Sequence, residues 1–252
     1  MKKQKYIIAL FAILLIPVLF STVIALSEIP ANEKAIENSN SNVIEASDSN
    51  IFMKHIYILH YAKPENQGKP AKPSGAACYK TFSKWTTTPV NYVISIANTD
   101  GLNASEMVNA IYSSASTWDA STSANLFNTE SITPNTLPWG AKDGKNSLMF
   151  GPYSNNGVIA VTSIYYTNGK FSQIQDSDIL FNTYYAWSTT GNPSAMDLQN
   201  IATHEIGHLI GLSDIYQTRC VDVTMFGYSD YGETNKRTLE SADITGLQKL
   251  YG

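Results

Sequence analysis

Two histidines four residues apart, with a glutamate after the first, open the run His204-Glu205-Ile206-Gly207-His208-Leu209-Ile210-Gly211-Leu212-Ser213-Asp214. Four residues turn an α-helix through about 400°, so both imidazoles leave one face and can share one metal ion. Glu205 stands beside them, able to reach a water on that metal without being a ligand. This is the equipment of metal-assisted hydrolysis, with the carboxylate as general base. A catalytic zinc takes three protein ligands and keeps one position open. The chain has four histidines and none lies beyond His208, so the third ligand is not a later histidine. Gly211 allows the helix to end in a left-handed turn. Asp214, three residues on, can then return to the metal; its other reading is a residue capping that turn. The bland alternative, two histidines on an ordinary amphipathic helix, has to put half of the chain's four histidines in one turn by accident.

These residues need elements to hold them. Leu198, Ile201, Ala202, Ile206, Leu209 and Ile210 give residues 195–210 a buried helical side, and Ser194 with Asp197 resembles a capping box at its start. A second helix is expected over 105–119, with Val108, Ile111, Tyr112, Ala115 and Trp118 on one face and Asn103 or Ser105 as cap. A third is expected over 241–251. Short strands are expected at 51–61, 90–96, 148–150, 157–162 and 178–182. The order predicts an α+β domain with a mixed sheet.

The run His-Glu-x-x-His-x-x-Gly-x-x-Asp resembles the metzincin zinc signature, with Asp where most members have His, as in snapalysin-type enzymes and some matrixin-like microbial proteases. Residues 223–228 are similar to the segment holding the metzincin Met-turn, with Met225 as its methionine. Residues 239–252 resemble the C-terminal helix of matrixin catalytic domains, and Trp85, residues 89–94 and Trp118 match the opening of that domain. The resemblance covers about residues 79–252. It implies a twisted, mostly parallel sheet of about five strands, two long helices and a small C-terminal subdomain ending in a helix. It implies an endopeptidase in which His204, His208 and Asp214 hold zinc, Glu205 is the base and Met225 floors the metal. Tyr228 either lines the substrate pocket or packs in the core. An extended peptide or protein substrate is expected to pair with an edge strand near residues 157–162. The three further histidines of a structural zinc are missing, since only His55 and His60 remain, so one zinc is expected. Calcium is allowed, with Asp176, Asp178 and the turn at 154–157 as oxygen donors. The family's propeptide cysteine motif is also missing.

Lys2, Lys3 and Lys5 precede 21 uncharged residues, Tyr6 to Leu26, which read as a secretory signal (residues 1–27) or an uncleaved anchor. Either places the rest outside the cytoplasm. Residues 28–77 read as linker or pro-segment, with a Pro/Gly-rich connector at 63–75, and residues 78–252 as the catalytic domain. The net charge of −4 and the lack of a Lys/Arg cluster exclude an electrostatic nucleic-acid binder, and a monomer is expected. Cys78 and Cys220 either form a disulfide, the favoured pairing in an oxidising compartment, or leave Cys78 free to occupy the zinc's open position. Asn103-Ala104-Ser105 matches a glycosylation acceptor. Two other functions fit the same motif less well: a zinc-binding protein that adheres without hydrolysis, and an amidase acting on cell-wall peptides.

Overall fold

The computed structural model describes residues 43–47, 50–61, 77–167 and 172–252. Residues 1–42, read as the signal and the start of the linker, and the connector at 63–75 lie outside the described residues. The sheet is built around four parallel strands, in the order β4 (Ser131–Thr133), β3 (Val93–Ser95), β5 (Ser147–Gly151) and β7 (Ile174–Asn182). A fifth, β6 (Val158–Thr167), pairs antiparallel with β7. This is the expected mostly parallel sheet of five strands. Strand β5 is buried throughout and β6 and β7 over most of their length, as strands covered on both faces must be.

The sheet does not end at β6. Strand β2 (Asn50–Tyr61) adds to it antiparallel, pairing Phe52 with Thr167 at one end and His60 with Val158 at the other. On the edge of β2 away from β6, strand β1 (Val43–Ser47) pairs antiparallel and β10 (Tyr228–Ser229) pairs in parallel. The stretch read as linker therefore contributes strands to the same compact unit, Ser39–Gly252.

Helix α1 (Ala104–Asp119) begins as the sequence indicates: Asn103 Oδ1 accepts from the Ser105 and Glu106 amides. The acceptor asparagine is thus the helix cap. Helix α2 (Leu198–Leu209) starts later than expected, and its cap is Asp197, which accepts from the Asn200 amide, in place of Ser194. The reason is a parallel two-stranded ribbon, β8 (Trp187–Ser188) with β9 (Met196–Asp197), which keeps the chain extended up to the cap. Arg237 pairs with the cap carboxylate from outside. Helix α1 locks onto α2 through buried Trp118, whose Nε1 donates to the Thr203 carbonyl at 2.8 Å. Helix α3 (Ser241–Tyr251) closes the C-terminal part. One apolar core joins the sheet to α1 and α2 through Ile94, Met107, Ile111, Phe181 and Ile201. No helix among the described residues is long and apolar enough to cross a membrane.

Candidate metal centre

Helix α2 places His204 and His208 one turn apart, with ring centroids at 4.8 Å. The helix must stop immediately after, and Gly211 makes it stop: its φ is +104°, and a Cβ there would stand 1.8 Å from the Ser83 carbonyl oxygen. The Leu212 amide folds back onto the Gly207 carbonyl. Residues 80–82 then pin the returning loop, the Phe82 amide bonding Gly211 and the Ser213 amide bonding Lys80. Cys78 and Cys220 lie at disulfide distance, 2.00 Å between sulfurs, and join the start of that segment to the far side of the loop.

This turn carries Asp214 back to the histidines. Nε2 of His204 and Nε2 of His208 are 3.1 Å apart, and Asp214 Oδ1 is 3.2 and 3.3 Å from them. In a tetrahedron with metal–ligand bonds of about 2.0–2.1 Å, ligand atoms stand about 3.3–3.4 Å apart. The chemistry agrees with the spacing. His204 Nδ1 contacts the Thr224 carbonyl at 2.7 Å and His208 Nδ1 the Leu212 carbonyl at 2.9 Å. Carbonyls only accept, so each Nδ1 carries the proton and, in a neutral ring, each Nε2 presents a lone pair. Asp214 Oδ1 accepts no hydrogen bond either. Three acceptors facing one another at this spacing are suited to a cation between them.

Electrostatics point the same way. Burial pushes His204 down, favouring the neutral ring. Burial also opposes the charge on His208 and on Asp214, yet their mutual attraction prevails, drawing His208 up and holding Asp214 well below the usual carboxylate range. A divalent cation satisfies that attraction without a proton. Glu205, fully buried next to the cluster, is pushed up to about 7 by burial, against the pull of His208 and a hydrogen bond from Thr162. Thr162 Oγ1, on β6, donates to Glu205 Oε2, while Oε1 has no partner. Among the described residues, His204, His208 and Asp214 are the one acidic or imidazole group arranged to hold a metal.

Met225 is buried beneath the helix: a Cβ on Gly207 would meet its sulfur at 2.3 Å and Trp118 at 2.8 Å. Glycine at 207 is what lets both side chains reach the helix backbone between the histidines. Asp243, at the start of α3 and fully buried, accepts from the amides of Thr224 and Met225 and fixes that turn. Tyr228 is half-buried on β10, its ring near Phe226, Tyr216 and His60. Buried Lys236 donates to the Tyr228 carbonyl at 2.7 Å and to Glu233, anchoring β10. His55 and His60 lie on β2 and are not among the three convergent residues. Asp176 and Asp178, the calcium candidates, spend their oxygens on backbone amides of residues 140–147, apart from Asp176 Oδ1, which has no partner.

Sequence reasoning missed Tyr216, Asp243 and Lys236. Tyr216 is hydrogen-bonded to the Asp214 carboxylate. Asp243 had a signal, an acidic residue in the first turn of a helix, but its partners are 18 and 19 residues away.

Known proteins are similar to this chain over part of their length. Metalloendoproteinase 1 of Glycine max is 44% identical over 59 residues, 23% of this chain and 18% of the relative. Matrix metalloproteinase-16 of Homo sapiens and of Rattus norvegicus is 35% identical over 77 residues, 30% of this chain and 12% of each relative. The chain thus matches less than a fifth of the length of these relatives. The family described as Matrixin matches residues 84–252, from the tryptophan-bearing entry segment through the metal loop to the last helix, and the chain belongs to that family.

Proposed function

We propose that the chain is a zinc-dependent endopeptidase that cuts extended peptides outside the cytoplasm. The observation that carries this reading is the convergence of His204 Nε2, His208 Nε2 and Asp214 Oδ1 beside the unpartnered Oε1 of Glu205. A zinc ion held by those three atoms supplies a Lewis acid that activates water and polarises the scissile carbonyl. Glu205 Oε1 takes a proton from the attacking water and passes it to the departing amine. Thr162 orients that carboxylate by holding Oε2, and it ties the base to strand β6. An extended substrate would pair with the edge of strand β6 that β2 occupies here. Met225 packs under the histidine helix and keeps water from beneath the site. The N-terminal apolar run supports export, by cleavage or as an anchor.

The test is casein hydrolysis by the purified chain with zinc removed by a chelator and then restored. Glu205→Gln is expected to lower kcat/KM by at least about a hundredfold while one zinc per chain still binds. Full hydrolysis by that variant, or a chain that binds no zinc, excludes the reading. Mass spectrometry of the products separates cuts inside polypeptides from amidase cuts in cell-wall peptides.

A further inference from the structure

Strand β10 has a backbone edge able to pair with an extended chain, and a buried cation stands behind it. The Gly227 carbonyl, just before β10, accepts an amide from the neighbouring strand at 3.2 Å. Lys236 lies in the 3-10 turn Asn235–Arg237 with only 2% of its surface exposed. Its Nζ donates to the Tyr228 carbonyl at 2.7 Å and to Glu233 Oε1 at 2.6 Å. The other oxygen of Glu233 accepts from Ser229 Oγ at 2.7 Å and from the Asp230 amide at 3.2 Å. The ring of bonds closes on the histidine helix. Asn200, fully buried one turn before His204, donates from Nδ2 to Ser229 Oγ at 3.2 Å and accepts the Lys236 amide on Oδ1 at 2.7 Å. The Gly232 amide bonds the Ala195 carbonyl, so the turn bearing Glu233 is itself fixed.

Burial pulls Lys236 below the ordinary lysine range, against the attraction of Glu233. A buried ion pair often adds no net stability over apolar side chains of similar volume. What this pair supplies is a fixed position. Strand β10 has two residues, too few for ladder bonds to hold it, and side chains tie it to the helix that carries His204 and His208. Strand β10 stands level with Val158 of β6, about 13 Å along that strand from Thr162, which holds Glu205. A substrate running antiparallel to β6 therefore brings the residues after the cut to β10.

We propose that Lys236 is a positioning residue for the substrate: through the Tyr228 carbonyl it sets where β10 stands, and so governs the binding of substrate residues that follow the scissile bond. This rests on the endopeptidase reading and adds to it a residue that rewards longer substrates.

The test uses the full chain carrying Lys236→Met, which keeps the stem and removes the ammonium. Two quenched peptides share the residues before the cut; one extends well past it and the other ends one residue after it. For the long peptide, KM is expected to rise at least about tenfold while kcat stays within about twofold. For the short peptide, kcat/KM is expected to stay within about twofold of the parent. Equal loss on both peptides, or a fall in kcat with KM unchanged, overturns the proposal. If Lys236→Met does not fold, Glu233→Gln, which removes the charge that holds the ammonium, takes its place with the same split expected. If the parent cuts neither peptide, the endopeptidase reading falls, and binding of a fluorescent form of the long peptide decides. Binding at least about tenfold weaker in the variant keeps the positioning role, and equal binding removes it.

Discussion

Asp214 has a partner besides the histidines. One carboxylate oxygen faces the two imidazoles, and Tyr216 is hydrogen-bonded to the group. Partners one step removed from a metal typically contribute about ten- to a hundredfold in affinity. Tyr216→Phe keeps the ring, which fills the space a side chain on Gly227 would need, and removes only the hydroxyl. Zinc affinity is expected to fall at least about tenfold in competition with a chelating dye, with the thermal midpoint little changed. The convergence of His204, His208 and Asp214 was legible because their spacing is dictated by one helix and one turn. Tyr216 and Asp243 were not, since their roles depend on chain segments meeting across the fold, and no local periodicity encodes that.

At the level of elements, β7 shows how a strand can carry an electrostatic load. Asp176 and Asp178 are both buried on it and hold the 140–147 loop by its amides. Burial pushes Asp176 up to about 6 and Asp178 to about 7. A carboxyl raised in the folded state stabilises fully below its unfolded value of about 4, and this contribution is lost as pH rises through the folded value. Asp176→Asn keeps an oxygen for the Asp143 and Gly144 amides and removes one charge. It is expected to stabilise the protein by roughly 1–2 kcal/mol at pH 8, with the gain vanishing by about pH 4, in denaturant titrations. Helices α1 and α3 were readable almost to the residue because each has a cap and a periodic buried face. Strands of two or three residues, β4, β8, β9 and β10, were not, because so short a run shows no alternation. The strand character of 51–61 was legible from its β-branched and aromatic residues, but its neighbours β6 and β10 were not.

For the whole molecule, the bond between Cys78 and Cys220 closes a loop with a sequence separation of 142. By chain entropy a loop of that size is worth on the order of 4–5 kcal/mol, and strain or residual structure reduces it. Reduction under native buffer is expected to lower the thermal midpoint by about 10 °C or more, read by calorimetry. Zinc is expected to be lost more readily too, since both cysteines flank the loop bearing Asp214. Residues 80–82 belong to that same assembly, bonding Gly211 and Ser213, although the family match begins only at residue 84. A cut before Cys78 would separate β2 from this brace, whereas a nick a few residues later would leave both tied to the far side of the metal loop through the bond to Cys220.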